Sequence, residues 1–171
     1  MPRSLPERLL EEFLANLKTN LKQKGLDSDF KLIKRHLHLY RFDDHHRPYF
    51  LFIHESLCSF WEILPSWKGI SHLIPSENAS WAVILLQKPS GENRPLGFLM
   101  SSNDFVEMVS RFGINRMGRI RIHEKDLASR NKFNGWESFF QLLNLQLVTF
   151  SKAPPRPLMS SMPGGKQKNI E

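Results

Sequence analysis

Two groups of residues in this chain have the types and spacing to do chemistry. The first is cationic. Between Arg111 and Lys132 stand Arg111, Arg116, Arg119, Arg121, Lys125, Arg130 and Lys132 against Glu124 and Asp126, a net +5 in 22 residues. Arg119-Ile120-Arg121-Ile122 alternates, and on a strand that sends both guanidiniums to one side and both isoleucines to the other. Guanidiniums are planar forks that match phosphate oxygens. The segment is therefore expected to touch a polyanion through Arg116, Arg119, Arg121, Lys125, Arg130 and Lys132. Contacts of this kind position a protein on a backbone without reading base sequence. The competing reading is a solvated sheet face.

The second group gathers ligand-type side chains: His36, His38, Asp43, Asp44, His45, His46, His54 and Glu55. Two imidazoles with a carboxylate suit zinc or iron. The same residues also read as a polar strand face and a solvated turn, for which Asp-Asp-His-His is ordinary material. Other chemistry is thinly represented. Cys58 is the only cysteine, which rules out an internal disulfide and a thiolate zinc site. It reads as a small, semi-buried apolar residue, with His54 the one base near it for a nucleophile. Gly113 to Gly118 is not followed by the Lys-Ser/Thr of a phosphate loop. Ser101, Ser102 and Asp104 fit helix capping, and Trp61, Trp67, Trp81 and Trp136 sit among apolar neighbours as core residues do.

The elements that must position these groups can be read from periodicity. Ser4-Leu5-Pro6-Glu7 has capping-box spacing. Leu9, Leu10, Phe13, Leu14, Leu17 and Leu21 then recur at helical intervals up to a stop at Gly25, which predicts a helix over 5–24. Residues 33–42 and 49–55 predict a β-hairpin in which Phe42 opposes Tyr49. That register puts Leu37, Leu39, Phe50, Phe52 and His54 on one face, and His36, His38, Tyr40, Ile53 and Glu55 on the other. A loop or short strand precedes a short helix at 66–73. Trp81–Leu86 is uniformly apolar and predicts a strand covered on both faces, with Leu96–Met100 returning beside it. Asn103 opens a helix over 103–112 with Phe105, Val106, Val109 and Phe112 inward. Arg119–His123 is a strand, and Asn134-Gly-Trp-Glu137 opens a helix over 135–146.

Composition sets the outer limits. A chain of 171 residues that is 40% hydrophobic and 11% aromatic can bury a core as one domain. The net charge of +7 with a pI near 9.8 favours polyanionic partners. Lys152, Arg156, Lys166 and Lys168 against Glu171 place +3 of that charge in a tail rich in Pro, Ser and Gly. Residues 1–150 are thus expected to form a single globular domain and 151–171 a disordered basic tail. No apolar run has membrane length, the longest being Trp81–Leu86, and the N-terminus carries no signal-peptide core. A cytoplasmic location is expected, or a nuclear one in a eukaryote. The fold expected is α+β, a mixed layered α/β arrangement in which helices flank a central mixed sheet of about five strands.

An opening helix, a hairpin, the run Tyr49-Phe-Leu-Phe-Ile-His-Glu-Ser-Leu-Cys-Ser-Phe-Trp61, the apolar strand Trp81-Ala-Val-Ile-Leu-Leu-Gln-Lys88 and then helix–strand–helix resemble the restriction-endonuclease-like, or PD-(D/E)XK nuclease, superfamily across about residues 5–146. The resemblance implies Mg²⁺ held by an acid early in the hairpin and by an acid followed two residues later by lysine. Asp43 or Asp44 matches the first acid and Glu55 the second, which would make Asp44 and Glu55 the metal ligands. The lysine is absent, since Ser56 and Leu57 follow Glu55, so His54 would assist in its place. The function this implies is nucleic-acid binding, to duplex DNA, by a divergent metal-dependent endonuclease that hydrolyses phosphodiesters, with no membrane partner and a homodimer as an admissible state. The alternative is a non-enzymatic protein-interaction adaptor.

Overall fold

The computed structural model describes residues 5–25, 31–34, 39–44, 47–69, 80–88 and 94–152. The histidines at 36, 38, 45 and 46, Leu37, the second half of the helix expected at 66–73, and the tail beyond Lys152 lie outside these residues.

The opening helix, α1 (Leu5–Gln23), forms as its periodicity predicts. Leu10, Phe13, Leu17 and Leu21 are buried along one stripe. Glu7 in the first turn and Lys22 in the last complement the helix dipole. The helix ends at Gly25, whose N–H bonds Lys22 O at 3.1 Å and whose φ of +72° suits a residue without Cβ.

Six strands make the main sheet: β1 (Lys31–Lys34), β2 (Leu39–Asp44), β3 (Arg47–Ser56), β5 (Ser80–Gln87), β6 (Leu96–Ser101) and β8 (Lys132–Asn134). They lie side by side in that order. All neighbours are antiparallel except β3 and β5, which run parallel, so the sheet is mixed. The hairpin register is the expected one, with Phe42 opposite Tyr49. Both strands run further toward the turn than predicted, to Asp44 and Arg47. The remaining strands, β4 (Phe60–Ile63) and β7 (Ile120–His123), form a separate antiparallel ribbon. Two further helices complete the described residues: α2 (Ser102–Val109) and α3 (Trp136–Lys152). The fold is α+β.

The layers follow from which residues alternate onto which face. Strand β5 has no charged residue, so it needs cover on both sides. Ala82, Ile84 and Leu86 join Leu51 and Ile53 of β3 beneath α1 and α3, where Phe139, Phe140 and Leu143 pack with Phe13. Phe13 and Trp136 stack with ring centroids 5.4 Å apart, tying the two helices together. Val83 and Leu85 face the other way with Phe50 and Phe52, beneath α2 and the ribbon. From α2 come Phe105 and Val109, and from the ribbon Trp61, Ile63, Ile120 and Ile122. Ser101 caps α2 by accepting the Asp104 N–H at 3.1 Å.

Several sequence expectations are corrected. The helix at 103–112 ends at Val109, and Val106 is 38% exposed rather than inward. The helix at 135–146 continues to Lys152. Pro65–Gly69 is a 3₁₀ turn. Arg119–His123 joins no main-sheet strand but pairs with β4. Cys58 is exposed rather than semi-buried. Strands β1 and β8 are separate elements that the periodicity does not predict. Of the four tryptophans expected in the core, Trp61 and Trp67 are buried while Trp81 and Trp136 are half-buried against it; Trp61 Nε1 donates to Leu86 O at 2.8 Å. No helix among the described residues is long and apolar enough to cross a membrane.

Candidate functional site

Among the described residues, the two acids expected to bind metal stand apart. Asp44 stands opposite Arg47, at the turn end of β3, and Glu55 is eight residues further along that strand. At the rise of an extended chain this separates the two backbones by about 26 Å. No single ion spans such a gap, since carboxylate oxygens bind Mg²⁺ at roughly 2 Å. Asp44 and Glu55, the two acids expected to hold Mg²⁺, are therefore too far apart to share one ion. His54 does not join Glu55 either. Neighbouring strand residues point to opposite faces, and the His54 ring lies 6.2 Å from Phe52, on the α2 side. Glu55 alternates with Ile53 onto the α1 side, where it neighbours Leu86 in register. Leu86 lines an open groove of about 370 Å³ together with Glu12, Phe13 and Asn16 of α1, Arg94 and Trp136. Glu12 is thus a carboxylate on the same side of the sheet as Glu55, one that the sequence marks only as an early helical acid. Among the described residues no group of three His, Cys, Asp or Glu side chains is placed to hold a metal ion.

Of the cationic group, Arg119 and Arg121 come together on the ribbon. Trp61, Ile63, Ile120 and Ile122 turn inward, as the alternation predicts. The outer face then carries Phe60 and Glu62 from β4 and Arg121 and His123 from β7. Phe60 opposes His123, and Glu62 opposes Arg121. The turn before β7 is built by Asn115. Its Oδ1 accepts the backbone N–H groups of Met117 and Arg119, each at 3.0 Å, and its own N–H bonds Arg119 O at 2.8 Å. Gly118, at φ +71°, closes that turn with an N–H bond to Asn115 O at 2.9 Å. The outcome is that Arg116 sits on an exposed turn and Arg119 immediately ahead of the strand.

Electrostatics at this face centre on Glu62, a residue the sequence gives little reason to notice. Arg121 Nε and Nη2 donate to its Oε1 at 3.1 and 2.6 Å, and Arg119 Nη1 donates to its Oε2 at 3.4 Å. Asn115 Nδ2 adds a longer bond to Oε1 at 3.4 Å. The Arg121 hydrogen bond, ahead of the charges of both guanidiniums, holds the Glu62 carboxyl below the usual carboxylate range. The Arg121 guanidinium also lies 4.4 Å from the centre of the Phe60 ring. One carboxylate meets two guanidiniums, so the cluster keeps a net +1. Both arginines remain nearly half exposed, at 47% and 46%.

Beyond the ribbon the other cations divide. Lys132 Nζ bonds Glu124 Oε1 at 3.2 Å, while Gln87 Nε2 bonds Oε2 of the same carboxylate at 3.2 Å. The Gln87 bond first, then Lys132, lowers the Glu124 pKa. Arg111 pairs with Glu107 one helical turn back, at 2.7 Å. Arg116, Lys125 and Arg130 are exposed, and none forms an ion pair with a described carboxylate. Arg119, Arg121 and Lys132 are three of the residues expected to touch a polyanion. They face solvent on the predicted side, but each is already paired with a carboxylate of the protein. No protein-family model matches the chain, and no curated protein matches it.

Proposed function

We propose that this protein binds nucleic acid by laying the outer face of the β4–β7 ribbon and its flanking turns along a phosphodiester backbone. One observation carries the reading. The cations lie on one continuous stretch of chain, 111–132, and the acids that meet them are too few to cancel them. Arg116, Lys125 and Arg130 stand open to solvent, and Arg119 and Arg121 share one carboxylate. Clustered exposed guanidinium and ammonium groups attract phosphate by charge and release condensed counterions when they bind. Duplex DNA is the preferred form, in an intracellular compartment, and a homodimer would lengthen the cationic track.

A restriction-endonuclease-like origin is part of the same proposal. It draws support from an opening helix packed on a mixed sheet and from the hairpin β2–β3 leading into the parallel strand β5. The proposed activity is binding. Cleavage through Asp44, His54 and Glu55 is not part of it, because the three occupy different ends and faces of the sheet.

Anisotropy titration of a labelled duplex across a salt series tests the reading. Arg116→Ala, Lys125→Ala and Arg130→Ala together should lower the log–log salt slope by about 0.9 for each phosphate that is no longer neutralised. Unchanged affinity and slope would remove the proposed surface.

One feature favours a protein partner instead. Leu64, Ile114 and Met117 are 50%, 59% and 75% exposed, and the register of Ile63 with Ile120 places them toward the same end of the ribbon. Apolar side chains beside arginine are typical of protein interfaces. On that reading, Met117→Ser with Ile114→Ser abolishes partner capture, and salt has little effect.

A further inference from the structure

We infer that Glu62 is an internal stand-in for phosphate, a carboxylate that keeps Arg119 and Arg121 aligned and must give them up when a phosphodiester binds. The inference rests on the nucleic-acid reading above and concerns the control of that same surface. Its basis is geometric. The carboxylate offers two oxygens. Oε1 takes two donors from Arg121, and Oε2 takes one from Arg119. A phosphodiester also presents two non-bridging oxygens to guanidinium forks. Arg119 and Arg121 are two apart in sequence and flank the inward-facing Ile120, so their side chains leave the backbone on one side. Glu62 is anchored directly opposite, by the pairing of β4 with β7.

The arrangement is poised rather than locked. Arg119 and Arg121 are nearly half exposed, and the Arg119 bond is long at 3.4 Å. Exposed ion pairs of this type are weak in water and are screened by salt. Phe60 supplies a second support for Arg121, since its ring lies 4.4 Å from the guanidinium and does not depend on Glu62. When phosphate draws the arginines away, Arg121 keeps this aromatic support and the freed carboxylate is left beside the ligand. Glu62 therefore lowers affinity for every polyanion while it prevents the guanidiniums from scattering. Removing its charge but not its shape separates these effects, because Gln at this position still offers an acceptor oxygen.

The test uses the full chain in anisotropy titrations with a labelled duplex and a labelled single strand, across a salt series. Four proteins are compared: wild type, Glu62→Gln, the pair Arg119→Ala with Arg121→Ala, and Arg116→Ala. Glu62→Gln is expected to bind several-fold more tightly at low salt. Its log–log slope should steepen by about 0.9 on duplex, or about 0.7 on a single strand, for each additional phosphate neutralised. The arginine pair should weaken binding below wild type. Glu62→Gln binding that equals or falls below wild type, while the arginine pair still weakens it, overturns the inference and leaves the binding surface standing. Absence of binding by wild type and Glu62→Gln alike overturns the nucleic-acid reading and this inference with it. If Glu62→Gln does not fold, the wild-type Glu62 carboxyl ¹³C resonance decides. Saturating oligonucleotide is expected to shift it, and an unmoved resonance overturns the inference.

Discussion

Arg121 lies directly across the ribbon from Glu62, and its Nη2 donates to Glu62 Oε1 at 2.6 Å. This pair joins two strands that belong to neither edge of the main sheet. It forms because both residues hold the outward positions of strands whose inward positions are Trp61, Ile63, Ile120 and Ile122. A buried row of large side chains thereby determines which charges meet on the surface.

Acid should loosen the ribbon before the sheet. The folded state holds the carboxyls of Glu62 and Glu124 below their ordinary values. A depressed carboxyl pKa contributes stability above the unfolded pKa and loses it as pH falls through the folded one. Melting temperature is expected to fall as pH drops below the ordinary carboxylate range. In Glu62→Gln combined with Glu124→Gln that fall should be shallower. An identical acid profile in the double variant would show that these two carboxylates are not the groups responsible.

How much of the site is legible in the sequence depends on separation along the chain. The stripe of α1, the two-faced burial of β5 and the Phe42–Tyr49 register all follow from patterns within a few residues. The partner of Arg121 is Glu62, 59 positions away, and nothing local to either residue announces the other. Glu62 sits in Phe60-Trp-Glu-Ile63, whose alternation is visible in sequence but whose strand partner is not. Strand β8 escapes a sequence reading for a related reason. Lys132-Phe133-Asn134 is too short to show a period, and it becomes a strand only because Phe133 is buried against Gly97. Asp44 and Glu55 look close in sequence because a hairpin joins their strands. The same hairpin puts Asp44 at the turn and Glu55 at the far end.

The indole of Trp61 ties the ribbon to the sheet through its bond to Leu86 O at 2.8 Å. Trp61→Phe keeps most of the apolar volume but removes that donor and leaves a buried carbonyl short of a partner. A loss of roughly 1–3 kcal/mol is expected. The urea midpoint measures it, and a change within error would mean that water replaces the indole.

Gly97 sits where the main sheet leaves no room for a side chain. A Cβ there would lie 2.2 Å from Leu85 O and 3.0 Å from Phe133 Cζ. Because the closest atom is backbone, β5 and β6 cannot simply move aside. Gly97→Ala should cost at least the upper part of the roughly 1–3 kcal/mol seen for overpacking. Equilibrium unfolding checks this, and a variant as stable as wild type would contradict the packing described.

Asp44 and Glu55 should act independently toward divalent cations. Groups about 26 Å apart have additive effects. Mg²⁺ titrations of Asp44→Ala, Glu55→Ala and the double variant are expected to show no coupling. A coupling well above measurement error would require the strand ends to meet.

Nucleic acid is proposed to lie on the ribbon and its turns rather than on the α1 groove. Amide chemical-shift mapping of the full chain with a short duplex at low salt tests this most directly. Shifts are expected to concentrate at residues 115–125 and 130–132 and to spread to Glu62 across the strand pair. Shifts confined to the groove around Glu12, Asn16 and Arg94, or no shifts at any residue, would contradict it.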